Sequence, residues 1–317
     1  MVGPRLAVEW RFWSSGVARA LAILSFVWMT VLSPITAAAG GRTVTDALGR
    51  EVHIEAPTRI VTLGPDVTEI AFALGAGDAI VGLDRSSKFP EAATSKSDLG
   101  HRRQLSAEGV LALRPDLILA SEDIGPPEVV DILSRLSIAV VFIPENNSLG
   151  GIRDKIALIS SALDRETAGR QLSDAVSEDF DSATKLAERI PGSARKKVLF
   201  FHGLLRLTAA GQDTAADAII GYSGGTNPFV GVKGYKALSE EALLEMAPDT
   251  ILMMGDGKGG PTPEEVFAVP ALRETPAARA KSLVVLDGPY MLGFGPRTAA
   301  AIRDLTFALY PEHVTAQ

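Results

Sequence analysis

Four histidines are the side chains of this 317-residue chain best suited to chemistry at neutral pH: His53, His101, His202 and His313. A neutral imidazole ligates iron or zinc, and its charge changes within the physiological range. His202 closes an apolar run, Val198-Leu-Phe-Phe-His202, and is followed by Gly203. Parallel α/β sheets bind ligands beyond the carboxyl ends of their strands, so this histidine stands where a site belongs. His101 lies in the polar run Gly100-His-Arg-Arg-Gln104. By spacing alone, each of these two is either a metal ligand or a structural side chain. His53, in a short hairpin, and His313, in a polar tail, read as solvated surface groups. Acids and bases are plentiful but not clustered. The chain has no P-loop, HExxH or GxGxxG. It has no cysteine, which excludes disulfides, iron–sulfur clusters and thiolate zinc sites.

The elements that must hold these histidines repeat. Leu105–Leu119 (LSAEGVLALRPDLIL) recurs 133 residues later at Leu238–Leu252 (LSEEALLEMAPDTIL), with eight identical positions. Both copies read as a serine N-cap, a short amphipathic helix, Pro-Asp and a buried strand. The spacing is too long for a solenoid and suits a domain. The chain therefore reads as two similar lobes, each with its own core, with a ligand between them.

Around the first copy, Thr43–Ile54 reads as a hairpin, Arg59–Leu63 as a strand, Asp66–Leu74 as a helix and Ala79–Leu83 as a strand. Helix Pro126–Leu136 and strand Ala139–Ile143 follow, an alternation that implies a parallel sheet. From Ser148 to Ile190 apolar residues recur at helical spacing, either as one long helix or as two divided at Asp164–Glu166. The second lobe opens with strand Lys197–His202 and helix Thr214–Tyr222, and ends with strand Leu283–Asp287 and helix Pro296–Tyr310. The domains are residues 40–147, a linking helical segment 148–190, and 191–317. Lobes joined by a long helix are expected to move as nearly rigid bodies with little hinge freedom.

Residues 1–39 read as a secretory signal. Arg5, Arg11 and Arg19 precede an apolar run Ala20–Leu32 and a small-residue site Ala37-Ala38-Ala39. The 31 basic and 38 acidic residues of the chain become 28 and 37 after its removal, a formal charge of −9. That balance argues against nucleic acid and anionic membrane surfaces as partners. The mature protein is expected in the periplasm.

The segments RIVTLGPDVTEIAFALGAGDAIVGLD (59–84), DLGHRRQLSAEGVLALRPDLIL (98–119), FFHGLLRLTAAGQDTAADAIIGYSGGTN (200–227), YKALSEEALLEMAPDTIL (235–252) and LGFGPRT (292–298) resemble the haem-binding proteins of bacterial haem-uptake ABC transporters, within the cobalamin/siderophore-binding fold class. The resemblance covers Arg59 to about Tyr310. It implies an α/β fold of two Rossmann-like lobes joined by a long helix, with haem as transported cargo in the cleft and no catalysis. The family tyrosine that ligates haem iron is replaced here by His101, and Arg103 matches the family arginine beside it. Arg102 has no such match and reads as solvated or as a second support for a propionate. Some relatives also carry a histidine at the position of His202, so one haem clamped by His101 and His202, or two haems with one histidine each, both fit. Glu108 and Glu241, one per repeat copy, are the implied docking points for an inner-membrane ABC permease, with Glu240 as a substitute for Glu241. Tyr235 and Tyr222 are further oxygen donors. Met291, Leu292 and Phe294 are either porphyrin contacts or core. The protein is expected to act as a monomer.

A ferric siderophore or cobalamin is the rival cargo. An exported hydrolase using His101, His202 and a carboxylate is the rival of another class, and it lacks an identifiable third metal ligand.

Overall fold

Along the central strands, successive apolar residues feed opposite faces of a sheet, and every such strand is buried on both. The computed structural model describes residues 41–135, 137–204, 206–256 and 259–314. The expected secretory signal lies outside the described residues. The chain begins with an antiparallel hairpin, β1 (Arg42–Thr45) and β2 (Glu51–Ile54). Its turn is held by the Asp46 carboxylate, which accepts from the amides of Leu48 and Arg50 and from the Arg50 guanidinium.

The first lobe alternates β3 (Ile60–Leu63), α1 (Pro65–Ala73), β4 (Ile80–Leu83), β5 (Ser97–Asp98), α2 (Ala107–Ala112), β6 (Leu117–Ser121), α3 (Pro127–Ser134) and β7 (Ala139–Ile143). All five strands of its sheet run parallel in the order β5-β4-β3-β6-β7. The order reverses between β3 and β6, which is the switch point where doubly wound sheets bind ligands. Gly64 makes the turn out of β3 at φ 138°, and a Cβ there would meet the Ser121 Oγ at 2.3 Å.

Two helices follow, α4 (Leu149–Ala162) and α5 (Glu166–Glu188), divided close to the expected break. The second lobe contains β8 (Val198–Phe201), β9 (Thr208–Ala210), α6 (Ala215–Tyr222), β10 (Tyr235–Ala237), α7 (Glu240–Met246), β11 (Thr250–Gly255), α8 (Pro263–Phe267), α9 (Pro276–Ala280), β12 (Leu283–Asp287), α10 (Gly288–Leu292) and α11 (Thr298–Leu309). Its sheet has the order β10-β9-β8-β11-β12, the same winding as the first except that β9 is antiparallel to β8.

The sequence repeat is the α2–β6 unit of one lobe and the α7–β11 unit of the other. Each serine caps its helix, Ser106 accepting from the Gly109 amide and Ser239 from the Ala242 amide. Each helix ends through a residue of positive φ, Arg114 and Ala247. Each Pro-Asp carboxylate then ties the unit to the start of the neighbouring strand. Asp116 accepts from the amides of Thr58 and Arg59 at 2.8 and 2.9 Å, and Asp249 from the Lys197 amide at 2.8 Å. The cations opening those strands, Arg59 and Lys197, donate to the last carbonyls of α2 and α7, on Leu113 and Met246. This favours the negative end of each helix.

Because Asp116 also accepts from the Thr58 hydroxyl, its loss costs more bonds than that of Asp249. Asp116→Ala is expected to lower stability by about 1–3 kcal/mol, and Asp249→Ala by less. Urea unfolding of both variants checks this order.

One expectation is corrected. The lobes do not keep separate cores. Ile60, Leu117, Leu119, Val198, Phe200 and Leu252 all belong to one apolar cluster that also contains Ile152, Ile156 and Ile159 of α4, Phe180 of α5 and Leu305 of α11. Each sheet has a private core only on its other face, through Val61, Leu63 and Ile118 in the first lobe and Leu199, Phe201 and Ile251 in the second. The alternation of β3, β6, β8 and β11 divides the core in this way, since α4, α5 and α11 cover one face of both sheets at once.

Candidate functional site

Between the lobes lies a cleft of about 970 Å³, at the upper end of small-molecule sites, which span about 300–1,000 Å³. Pro65, Asp66, His101, Arg102, Arg103, Asp123 and Glu145 line it from the first lobe. His202, Tyr235, Met254, Pro289 and Leu292 line it from the second. His101 and His202 thus border one cleft, and both are exposed.

The His101 loop is laced to its sheet by backbone bonds. The Leu99 amide donates to Leu83, Arg85 to Gly100, Gln104 to His101 and Leu105 to Gly125. Gly100, at φ 85°, lets the chain turn so that its amide donates to Asp98 at 2.7 Å. That bond, with the Arg85 guanidinium and the nearby His101 ring, holds the Asp98 carboxyl below the usual carboxylate range. His202 is the first residue after β8, and its amide donates to the Thr208 carbonyl at 3.0 Å. Its ring meets Tyr235 edge-on, with centroids 6.4 Å apart. Burial pushes the Tyr235 phenol up, against the opposing pull of Arg103.

Arg102 and Arg103 converge on one oxygen of Asp123, at 2.8 and 2.5 Å. Arg102 is therefore half-buried and paired, which corrects its reading as solvated. Burial works against the Asp123 charge, but the two guanidiniums hold its carboxyl below the usual range.

Beneath the lining residues Asp66 and Glu145 lies Lys155. Its ammonium is fully buried and meets Asp66 at 2.5 Å, Glu145 at 3.3 Å, and the carbonyls of Gly293 and Phe294 from the second lobe. Burial acts to lower the Lys155 pKa, yet Asp66 and Glu145 outweigh it and hold the ammonium above the usual lysine range. Burial, reinforced by Asp66, pushes Glu145 up. One turn along α1, Glu69 bonds Arg297 across the lobes at 2.8 Å. The Arg297 guanidinium also stacks 3.7 Å from the Phe89 ring.

Burial pushes the Glu69 carboxyl up, with Arg297 opposing and Asp66 adding to the rise. A raised carboxyl binds its proton in the fold at pH values where the unfolded chain has released it. Stability therefore falls as pH rises from about 4.5 through the folded value, and stays reduced above. Glu69→Gln removes this slope. The stability of wild type relative to the variant is expected to fall as pH rises above about 4.5. A difference independent of pH in urea unfolding from pH 4 to 7 would contradict it.

Other expected contacts separate cleanly. Met291 and Phe294 are buried in the core, and only Leu292 of that group reaches the cleft. Tyr222 packs edge-on against Phe180 and is absent from the cleft lining. Glu108 and Glu241 are exposed in the first turns of α2 and α7, as is Glu240. His53 and His313 are exposed. Asp66, Asp123, Glu145 and Lys155 escaped the sequence reading. Lys155 had a signal, since it shares the buried face of α4 with Ile152, Ile156 and Ile159. A lysine at a core position demands a buried partner. Among the described residues no three His, Cys, Asp or Glu side chains are grouped to hold a metal ion.

The family described as periplasmic binding protein matches residues 60–290. The periplasmic haem-binding protein BhuT, solved in complex with two haems, is 37% identical and superposes with a TM-score of 0.74, over 81% of this chain and 99% of BhuT. The uncharacterized ABC transporter substrate-binding lipoprotein YvrC of Bacillus subtilis is 24% identical over 85% of this chain and 86% of its own length. The vitamin B12-binding protein of Vibrio vulnificus is 25% identical over 78% of this chain and 88% of its own.

Proposed function

The chain belongs to the periplasmic binding protein family, and from that premise we propose that it captures haem in the cleft between its lobes and delivers it to an inner-membrane ABC permease. It is a binding protein, not an enzyme. One observation carries the choice of cargo: histidines from opposite lobes line a single cleft that also presents two guanidiniums. Imidazoles suit haem iron, and arginines suit the two carboxylates of the porphyrin. Pro65, Met254, Pro289 and Leu292 offer apolar surface to the macrocycle. The likeness to BhuT at 37% identity supports the same cargo.

In this reading His101 and His202 ligate iron, on one haem or on two. Arg103 pairs with a propionate, Arg102 supports it from the Asp123 carboxylate the two arginines share, and Tyr235, beside His202, is the reserve oxygen donor. Glu108 and Glu241 dock on the permease, because equivalent helices present them on the two lobes. The protein works as a monomer in the periplasm.

Cobalamin is the second reading, favoured by the vitamin B12-binding relative. Titration with haem and, separately, with cobalamin decides between them. A saturating Soret shift with haem, and no binding of cobalamin, is the expected result. The reverse would transfer the cleft to a corrinoid.

A further inference from the structure

Arg102, Arg103 and Asp123 form a three-member cluster whose members are not equivalent. The Arg103 side chain is 69% exposed, whereas those of Arg102 and Asp123 are 23% and 27% exposed. Both guanidiniums use their Nη2 atoms on the same Oδ2 of Asp123. The other carboxylate oxygen, Asp123 Oδ1, is buried without a hydrogen-bond partner among the described residues, and so is Arg102 Nε. Charge is unevenly supplied as well. The charges of Glu145 and Asp66 act on Arg102 in addition to that of Asp123, while the charge of Arg103 also acts on the Tyr235 phenol.

We infer that Asp123 holds Arg103 in reserve and so tempers the preference of the cleft for a macrocycle with free carboxylates, which must draw the guanidinium away before pairing with it. This rests on the haem reading above. An exposed ion pair is weak, with a median near 0–1 kcal/mol, so Arg103 exchanges partners at little cost. Arg102 stays, because its pair is half-buried and two more carboxylates lie near it. Once Arg103 leaves, the two unpartnered atoms suit each other. Arg102 Nε can join its Nη2 in a two-point fork on both oxygens of Asp123, the geometry guanidinium and carboxylate prefer. The cluster therefore loses little when a propionate takes Arg103, but Asp123 competes with that propionate throughout. A cargo without carboxylates leaves the cluster closed.

The test compares iron protoporphyrin with its dimethyl ester, which differs only in lacking free carboxylates. Titration of the mature protein and of Asp123→Asn by absorption should give a tighter dicarboxylate complex in the variant, by roughly fivefold, which is about 1 kcal/mol. Ester affinity should stay within twofold of wild type. Arg103→Gln, an exposed position whose replacement leaves the fold intact, should shrink the preference for the free acid over the ester. An equal change for both ligands in Asp123→Asn, weaker binding of the acid, or an unaltered preference in Arg103→Gln would overturn the assignment. If wild type binds neither porphyrin, the haem reading itself fails and takes this one with it. Porphyrin binding by wild type with no selectivity change in either variant sinks the role of Asp123 alone.

Discussion

His101→Ala and His202→Ala are each expected to weaken haem binding by at least about 30-fold. An anchor that the bound cargo covers contributes about 2 kcal/mol or more, and each 1.4 kcal/mol is tenfold in affinity. Both side chains line the same cleft from opposite lobes, so the pattern of loss reports the geometry. If one haem is clamped, wild type saturates at a single equivalent with a six-coordinate, low-spin spectrum, and either change converts it to a weaker, five-coordinate complex. If two haems are bound, saturation comes at two equivalents and each variant loses one. Retained affinity and an unchanged spectrum in His202→Ala would instead transfer ligation to Tyr235, whose ring lies 6.4 Å away. Burial makes that phenol reluctant to ionise, so the tyrosine is the weaker candidate near neutral pH.

The second large effect concerns the buried lysine beneath the cleft lining. Lys155→Met is expected to destabilise the protein by about 3–5 kcal/mol, the usual consequence of removing one partner from a buried ion pair. Methionine fills much the same volume, so the loss is electrostatic. Asp66 is left in a nearly closed site, with only 3% of its side chain exposed, and Glu145 loses the cation that offsets its burial. The carbonyls of Gly293 and Phe294 lose a donor as well. Adding Asp66→Asn to Lys155→Met removes the stranded charge and should recover a large part of the loss, as contacting residues are not additive. Urea unfolding of the single and double variants measures this. A loss below 1 kcal/mol in the single variant would mean that the network only decorates the cleft.

This ion pair also bears on motion. Lys155 and Arg297 tie α1 to the Gly293–Arg297 segment of the second lobe. A continuous apolar core runs under both sheets. Opening the cleft by a wide hinge would break these contacts and expose that core. The expectation of limited closure from the long connecting helix is thus reinforced by packing that the helix pattern alone did not reveal.

The local chemistry of this chain was legible without coordinates. Buried strands, capped helices and the α/β class follow from periodicity and from Ser, Pro-Asp and Gly signals, because those forces act within a few residues. The repeat at Leu105–Leu119 and Leu238–Leu252 disclosed two similar lobes with a ligand between them, and the apolar run ending at His202 put that histidine just beyond a strand. The short strands β5, β9 and β10 escaped, since two or three residues are too few to show alternation. So did the antiparallel turn of β9. What only the tertiary structure decided is the company each charge keeps. Arg102 and Arg103 share a carboxylate about twenty residues away, and Lys155 meets Asp66 from 89 residues along the chain. Such pairings depend on which faces the folded sheets present to each other, and a one-dimensional pattern carries the need for a partner but not its identity.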